Sequence, residues 1–241
     1  MNEIVCTTVY GKVCLPDDSM NDPVIFSICN TGVFEPYIIE CIRPFVKPGT
    51  IVIDAGASYG QMSLAFSQMV GDDGEVHSFE VSEFIIKYLK NTLSINNTKN
   101  VFLHETALWH TSNQTLKMLK PTPFGWWHSG LGVAINEETD YRMKVCKTYD
   151  VSTTTLDDIN FSKTVSAIKI DVQGSDYAVL KGAKNTILKH KPLILFEYET
   201  FYDDKFQISF KHYLDFLDEI GYEIRKDIIN NDHDFACLPK I

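Results

Sequence analysis

The stretch Thr50 to Gly60, T-I-V-I-D-A-G-A-S-Y-G, limits the fold of this chain more than any other. Its β-branched run Ile51-Val52-Ile53 has the make-up of a buried strand. The run ends on Asp54 and breaks into a glycine-punctuated turn before a helical segment that starts near Tyr59. Gly56 and Gly60 lack a Cβ, so the backbone can turn sharply and approach a ligand closely. The free N–H groups of the helix start should face the same crevice. In doubly wound sheets that crevice, beyond the carboxyl ends of the strands, is where ligands bind. The spacing is D-x-G-x-x-x-G. A dinucleotide fingerprint would need glycine where Ser58 stands, and the G-x-x-x-x-G-K-[ST] of a phosphate loop is absent.

At 241 residues the chain suits one α/β domain. A net charge of −10 argues against a nucleic-acid groove, which needs clustered Lys and Arg, and favours a small or neutral partner. Cys6, Cys14, Cys29, Cys41, Cys146 and Cys237 form no C-x-x-C pair, and no charged n-region precedes an apolar run at the N-terminus. They read as reduced packing residues of a cytoplasmic protein. No apolar run approaches the roughly 18 residues of a membrane helix. The sequence leaves the oligomeric state open.

In chain order, Glu3 to Leu15 alternates around Tyr10-Gly11 and predicts a hairpin, followed by a loop from Asp17 to Pro23. Val24 to Val46 reads as a turn and then a helix, with Glu35 shortly before the main strand. Tyr59 to Val70 is a helix. Glu75 to Glu80 is a second strand that ends, like the first, on an acid. Glu80 is placed to accept hydrogen bonds from both hydroxyls of a ribose. A helix capped by Ser82 runs to Asn96, and Val101 to Thr106 is a third strand leading into Ala107-Leu108. From Thr111 to Val151 short strand-like pieces (Thr115 to Leu119, Gly132 to Ile135, Met143 to Thr148) predict an inserted β-hairpin. Its tip carries Trp126, Trp127 and His128, a composition suited either to closing over a sugar or to plugging the space between hairpin and sheet.

Val165 to Asp171 is a buried strand with polar residues near its end, which are costly to bury unless paired or functional. Lys169 and Asp171 share one face. Either they form an ion pair, or Asp171 stands at the mouth of the crevice. A helix is expected from Val172 to about His190. A fifth parallel strand from Pro192 to Glu199 ends in Glu197 and Glu199, a helix follows from Ile208 to Ile220, and a terminal antiparallel pair completes seven strands.

The series D-A-G-A-S-Y-G, S-F-E, T-A-L, T-L-D-D-I, K-I-D-V-Q-G and P-L-I-L-F-E resembles the FkbM methyltransferase domain over roughly residues 30 to 240. The resemblance implies a class I Rossmann-like α/β fold: a seven-stranded, mostly parallel sheet with helices on both faces and an inserted β-hairpin at about 111–151. The hairpin and loop of residues 1–30 would pack on a domain of residues 31–241. It implies S-adenosylmethionine as donor, S-adenosylhomocysteine as product, and O-methylation of a hydroxyl on a sugar, glycan or glycosylated small molecule. Under it, Asp54 meets the methionine ammonium directly or through water, Gly56, Ala57, Ser58, Tyr59 and Gly60 wrap that end, and Glu35 sits at the rim. Glu80 and Val81 hold the ribose, while Thr106, Ala107 and Leu108 lie against adenine. Asp171 faces the transferred methyl and ranks first as general base, ahead of Glu197 or Glu199 and then His128, with Lys169 in the same catalytic group.

One position departs from the family, which usually has glutamate where this chain has Gln173. A divalent metal stays open but has no sequence support, since no carboxylate or histidine cluster has ligand spacing. Two alternatives come from other classes: a non-catalytic scaffold that kept the fold, and an NAD-binding oxidoreductase, which the missing glycine disfavours.

Overall fold

The computed structural model describes residues 3–17, 22–119, 148–203 and 207–240. A hairpin of β1 (Glu3–Thr8) and β2 (Gly11–Pro16) comes first, then helices α1 (Pro23–Thr31) and α2 (Pro36–Ile42). Strands and helices then alternate: β3 (Ile51–Ala55), α3 (Gln61–Val70), β4 (Glu75–Phe79), α4 (Glu83–Ile95) and β5 (Val101–His104). Next come β6 (Ala107–Leu108), β7 (Thr115–Leu119) and β8 (Thr148–Thr154), which make a separate small sheet in the order β6-β8-β7. The chain returns to the core with β9 (Val165–Ile170), α5 (Asp176–Lys181), α6 (Lys184–His190) and β10 (Leu193–Glu197). It finishes with α7 (Phe210–Glu219), β11 (Tyr222–Ile224) and β12 (Asp234–Pro239).

Alternation along the central strands sets the layers. Ile51, Ile53 and Ala55 of β3, with Ile168 and Ile170 of β9, face a core closed by Val179, Ile187 and Phe216 from α5, α6 and α7. Val52 and Ala167 face the other way, onto Ile39 of α2 and Phe66 of α3. Side chains two apart share a face, so Asp54 and Lys169 must lie on this second face. The sheet runs β11-β12-β10-β9-β3-β4-β5. The neighbours from β10 to β5 are parallel, and β12 is antiparallel to both β10 and β11. This is the expected seven-stranded, doubly wound architecture. From β3 the chain winds outward to β4 and β5, then restarts at β9 on the opposite side. The carboxyl ends of β3 and β9 therefore flank the point where strand order reverses, the place such sheets open a ligand crevice.

Two helical expectations change. Residues 23–31 form a helix where a turn was expected, because Pro23 occupies the first helical position and the Asp22 carboxylate caps it, accepting from the N–H of Val24 at 2.9 Å. The helix expected from Val172 to His190 is broken at Gly182-Ala183. A Cβ on Gly182 would lie 1.9 Å from the carbonyl oxygen of Trp109, so that backbone crosses there. The new helix start is then capped from outside, with the Asp157 carboxylate accepting from the N–H groups of Asn185 (2.9 Å) and Thr186 (2.7 Å). A cap 28 positions away is invisible to local pattern.

Of the inserted hairpin, Thr115–Leu119 pairs antiparallel with β8. The pieces expected at Gly132 to Ile135 and from Met143, together with Trp126, Trp127 and His128, lie outside the described residues, except that β8 begins at Thr148. Among the described residues no single helix is long and apolar enough to cross a membrane.

Candidate active site

Gly56, Ser58 and Gly60 all take left-handed backbone, with φ of 79°, 50° and 88°. That conformation wraps the chain after β3 into a tight loop. Four backbone N–H groups of this loop are paired within the chain. Those of Gly56 and Ala57 donate to the carbonyl of Phe79 at 3.0 Å, that of Gly60 donates to Ala57 at 2.9 Å, and that of Ser58 donates to Glu80 Oε2 at 3.0 Å. The loop is thus stitched to the end of β4 rather than left open for an anion.

Glu80 is the hinge of this arrangement. Its Oε1 accepts from the N–H groups of Val81 (2.8 Å) and Ser82 (2.9 Å), and its Oε2 holds Ser58. Burial pushes its carboxyl above the usual range while these three donors pull it back. It lies on the wall of a crevice that is partly open to solvent. Of the residues assigned to cofactor binding, Gly56, Glu80, Val81, Thr106, Ala107, Leu108 and Asp171 line this crevice. Glu35, Asp54, Ala57, Ser58, Tyr59 and Gly60 are not on its wall.

The most displaced is Asp54, which is fully buried beneath the loop. Its Oδ2 accepts from Ser63 Oγ at 2.6 Å, and its Oδ1 lies 3.5 Å from Lys169 Nζ. The two residues are direct neighbours across the β3–β9 pairing, which fixes this contact. Lys169 also reaches Asp171 Oδ2 at 3.4 Å and donates to the carbonyl of Gly56 at 2.9 Å. Burial alone pulls its ammonium toward losing its proton. Asp171, Asp54 and Glu35 outweigh burial and hold the ammonium charged. The Lys169–Asp171 ion pair forms, and Asp171 still stands on the crevice wall, so the two readings of that face hold together.

Asp171 begins an acidic rim. Gln173, itself in left-handed backbone (φ 54°), donates from its amide to Asp171 Oδ1 at 3.1 Å and to Glu197 Oε2 at 3.4 Å. Glu197 is pushed up to about 10, first by burial and then by the charges of Asp171, Asp176 and Glu199. Burial and Asp171 push Glu35 up to about 7. At neutral pH Glu197 therefore keeps its proton. Among the described residues no group of three or more His, Cys, Asp or Glu could hold a metal ion.

Glu197 binds its proton more tightly in the folded chain than at its ordinary 4.5, so stability is lost as pH rises from 4.5 toward 10. Glu197→Gln removes that dependence. Its melting temperature is expected to exceed wild type at about pH 8 and to converge with wild type in acid. Melting curves that stay parallel across this range would show that Glu197 is not so perturbed.

Sequence pattern missed part of the wall. Trp109, Leu116, Met118, Val172 and Ser175 also line the crevice, as does Gln173, which the sequence had singled out as the departure from the family. Leu116 and Met118 could have been found, since they alternate on one face of Thr115–Leu119. Which way that strand turns was not local information.

Comparison with known proteins bears on the fold and on the family. A solved structure from Clostridium thermocellum, provisionally named an rRNA methylase, superposes with a TM-score of 0.51 at 17% identity, covering 86% of this chain and 94% of that one. The FkbM methyltransferase of Methylobacillus flagellatus KT gives 0.49 at 18% identity, covering 92% of this chain and 55% of that one. The ubiquinone/menaquinone biosynthesis C-methyltransferase UbiE of Pectobacterium carotovorum is 29% identical over 110 residues, 44% of this chain and 42% of that protein. The matched region spans between about a third and two fifths of the length of the curated relatives. The methyltransferase FkbM domain matches residues 54–224, from the acid near the end of β3 to the end of β11 and well over half of the chain, and the chain belongs to that family.

Proposed function

We propose that this chain is an S-adenosylmethionine-dependent methyltransferase that acts on a hydroxyl of a sugar or glycan, in the cytoplasm. The observation that carries the donor half is Glu80: a carboxylate fixed by three backbone donors on the wall of a crevice whose other residues include Ala107, Leu108 and Val81. That pairing of an anchored acceptor with apolar surface suits a ribose joined to a flat base. The residues present fit the cofactor, which when bound supplies an electrophilic methyl group on a sulfonium.

The chain must then align an acceptor oxygen and take its proton. Asp171 is the candidate base. It lines the crevice, and Lys169 on one oxygen and the Gln173 amide on the other fix its orientation. Glu197, protonated at neutral pH, is poorly suited to accept a proton and better suited to donate a hydrogen bond to the acceptor. Lys169 is spent on the loop and the two aspartates, so its part is positioning.

Calorimetric titration tests the donor half. S-adenosylhomocysteine is expected to bind and NAD is not. Glu80→Gln should weaken the former about tenfold, the loss of one charge-assisted hydrogen bond. If neither ligand binds, the assignment of this crevice fails. If S-adenosylhomocysteine binds but labelled methyl reaches no hydroxyl in a panel of sugars and glycans, the acceptor half fails alone.

A further inference from the structure

Outside the crevice, two thiols meet. Cys6 on β1 and Cys29 on α1 lie with their Sγ atoms 2.8 Å apart, both half-buried. A disulfide needs a separation near 2.04 Å, so less than an ångström of side-chain motion joins them. The other described thiols have different surroundings: Cys41 donates to the carbonyl of Ile228 at 3.2 Å, and Cys14 and Cys237 are buried. We propose that Cys6 and Cys29 form a reversible disulfide on exposure to a low-molecular-weight disulfide oxidant such as glutathione disulfide, clamping α1 to the N-terminal hairpin.

The chemistry is two successive exchanges. One thiolate of the pair attacks one sulfur of the oxidant and expels one thiolate. The other cysteine then attacks the protein sulfur of the mixed disulfide and expels the second. The pair loses two electrons and two protons, and the oxidant gains them as two thiols. Burial, together with the contact to Cys6, pushes the Cys29 thiol up, so the exchange is expected to run faster as pH rises.

The clamp would act on the crevice through backbone. From α1 the chain runs through Gly32 and Val33, the latter accepting from Ser27 Oγ at 2.8 Å, to Phe34. The Gln61 side chain grips Phe34 at both its N–H (2.6 Å) and its carbonyl (3.0 Å). Gln61 is the first residue of α3, directly after the glycine loop. Fixing α1 to the hairpin therefore restrains the segment that braces that loop.

The test uses the full chain. It is incubated with glutathione disulfide, its remaining thiols are alkylated, and it is digested without reductant for peptide mass mapping. A peptide pair joined through Cys6 and Cys29, lost on treatment with dithiothreitol, is expected, and the oxidised protein should melt roughly 5–10 °C higher. Cys6→Ser and Cys29→Ser should each abolish that rise. Recovery of both residues alkylated, as stable mixed disulfides, or linked to other cysteines would overturn the proposal, and the wild-type map decides this even if a variant folds poorly.

Discussion

Lys169→Met is expected to lower the free energy of unfolding by about 3–5 kcal/mol, a large share of the roughly 5–15 kcal/mol that holds a typical domain. Lys169 is 3% exposed and sits between two carboxylates, with its Nζ 3.5 Å from Asp54 and 3.4 Å from Asp171. Methionine fills a similar volume but leaves the fully buried Asp54 with the Ser63 hydroxyl and no cation. An ionised carboxylate cannot stay there unpaired, so it must take up a proton or the strand end must open. The carbonyl of Gly56 loses its donor at the same time. Urea denaturation measures the loss. Adding Asp54→Asn to Lys169→Met should return part of it, because a neutral pair no longer leaves a charge stranded. A loss below about 1 kcal/mol would place the ion pair among contacts that merely break even.

The same cluster shows how far the sequence could be read. Near-continuous apolar runs at Ile51-Val52-Ile53 and Val165 to Ile170 were enough to mark β3 and β9 as buried strands, because a parallel strand covered by helices on both faces has no solvent side. The shared face of Lys169 and Asp171 followed from the two-residue period of a strand. Asp54, by contrast, looked like a crevice residue because it ends a strand before a glycine turn. Its place under the loop depends on its neighbour across the β3–β9 pairing, and Lys169 lies 115 positions downstream. Capping by Asp157 and the approach of Trp109 to Gly182 were hidden for the same reason: each is a contact between distant segments. Glu80 was legible as a strand-end acid. Its hold on the loop through Ser58 was not.

Gly56→Ala is expected to damage both stability and ligand binding, and it separates the loop's geometry from its charges. Gly56 has φ of 79°, where a side chain adds strain, and its Cβ would lie 1.9 Å from the carbonyl oxygen of Asp171 and 2.9 Å from its carbonyl carbon. Both obstacles are backbone. No rotamer change relieves them, so the β3 and β9 ends must part, straining the hydrogen bond from the Asp171 N–H to the Ala55 carbonyl (3.1 Å). Strain and overpacking together cost about 2–4 kcal/mol. Because Gly56 and Asp171 both line the crevice, the displacement widens the site where strand order reverses, and affinity for S-adenosylhomocysteine should fall by at least about tenfold at a temperature where the variant remains folded. Gly49→Ala is the control. Its φ is 80° but nothing lies within 4 Å of its Cβ, so it carries the conformational cost without the clash. If the two variants lose equal stability and both bind normally, the close approach of the strand ends is not what shapes the crevice.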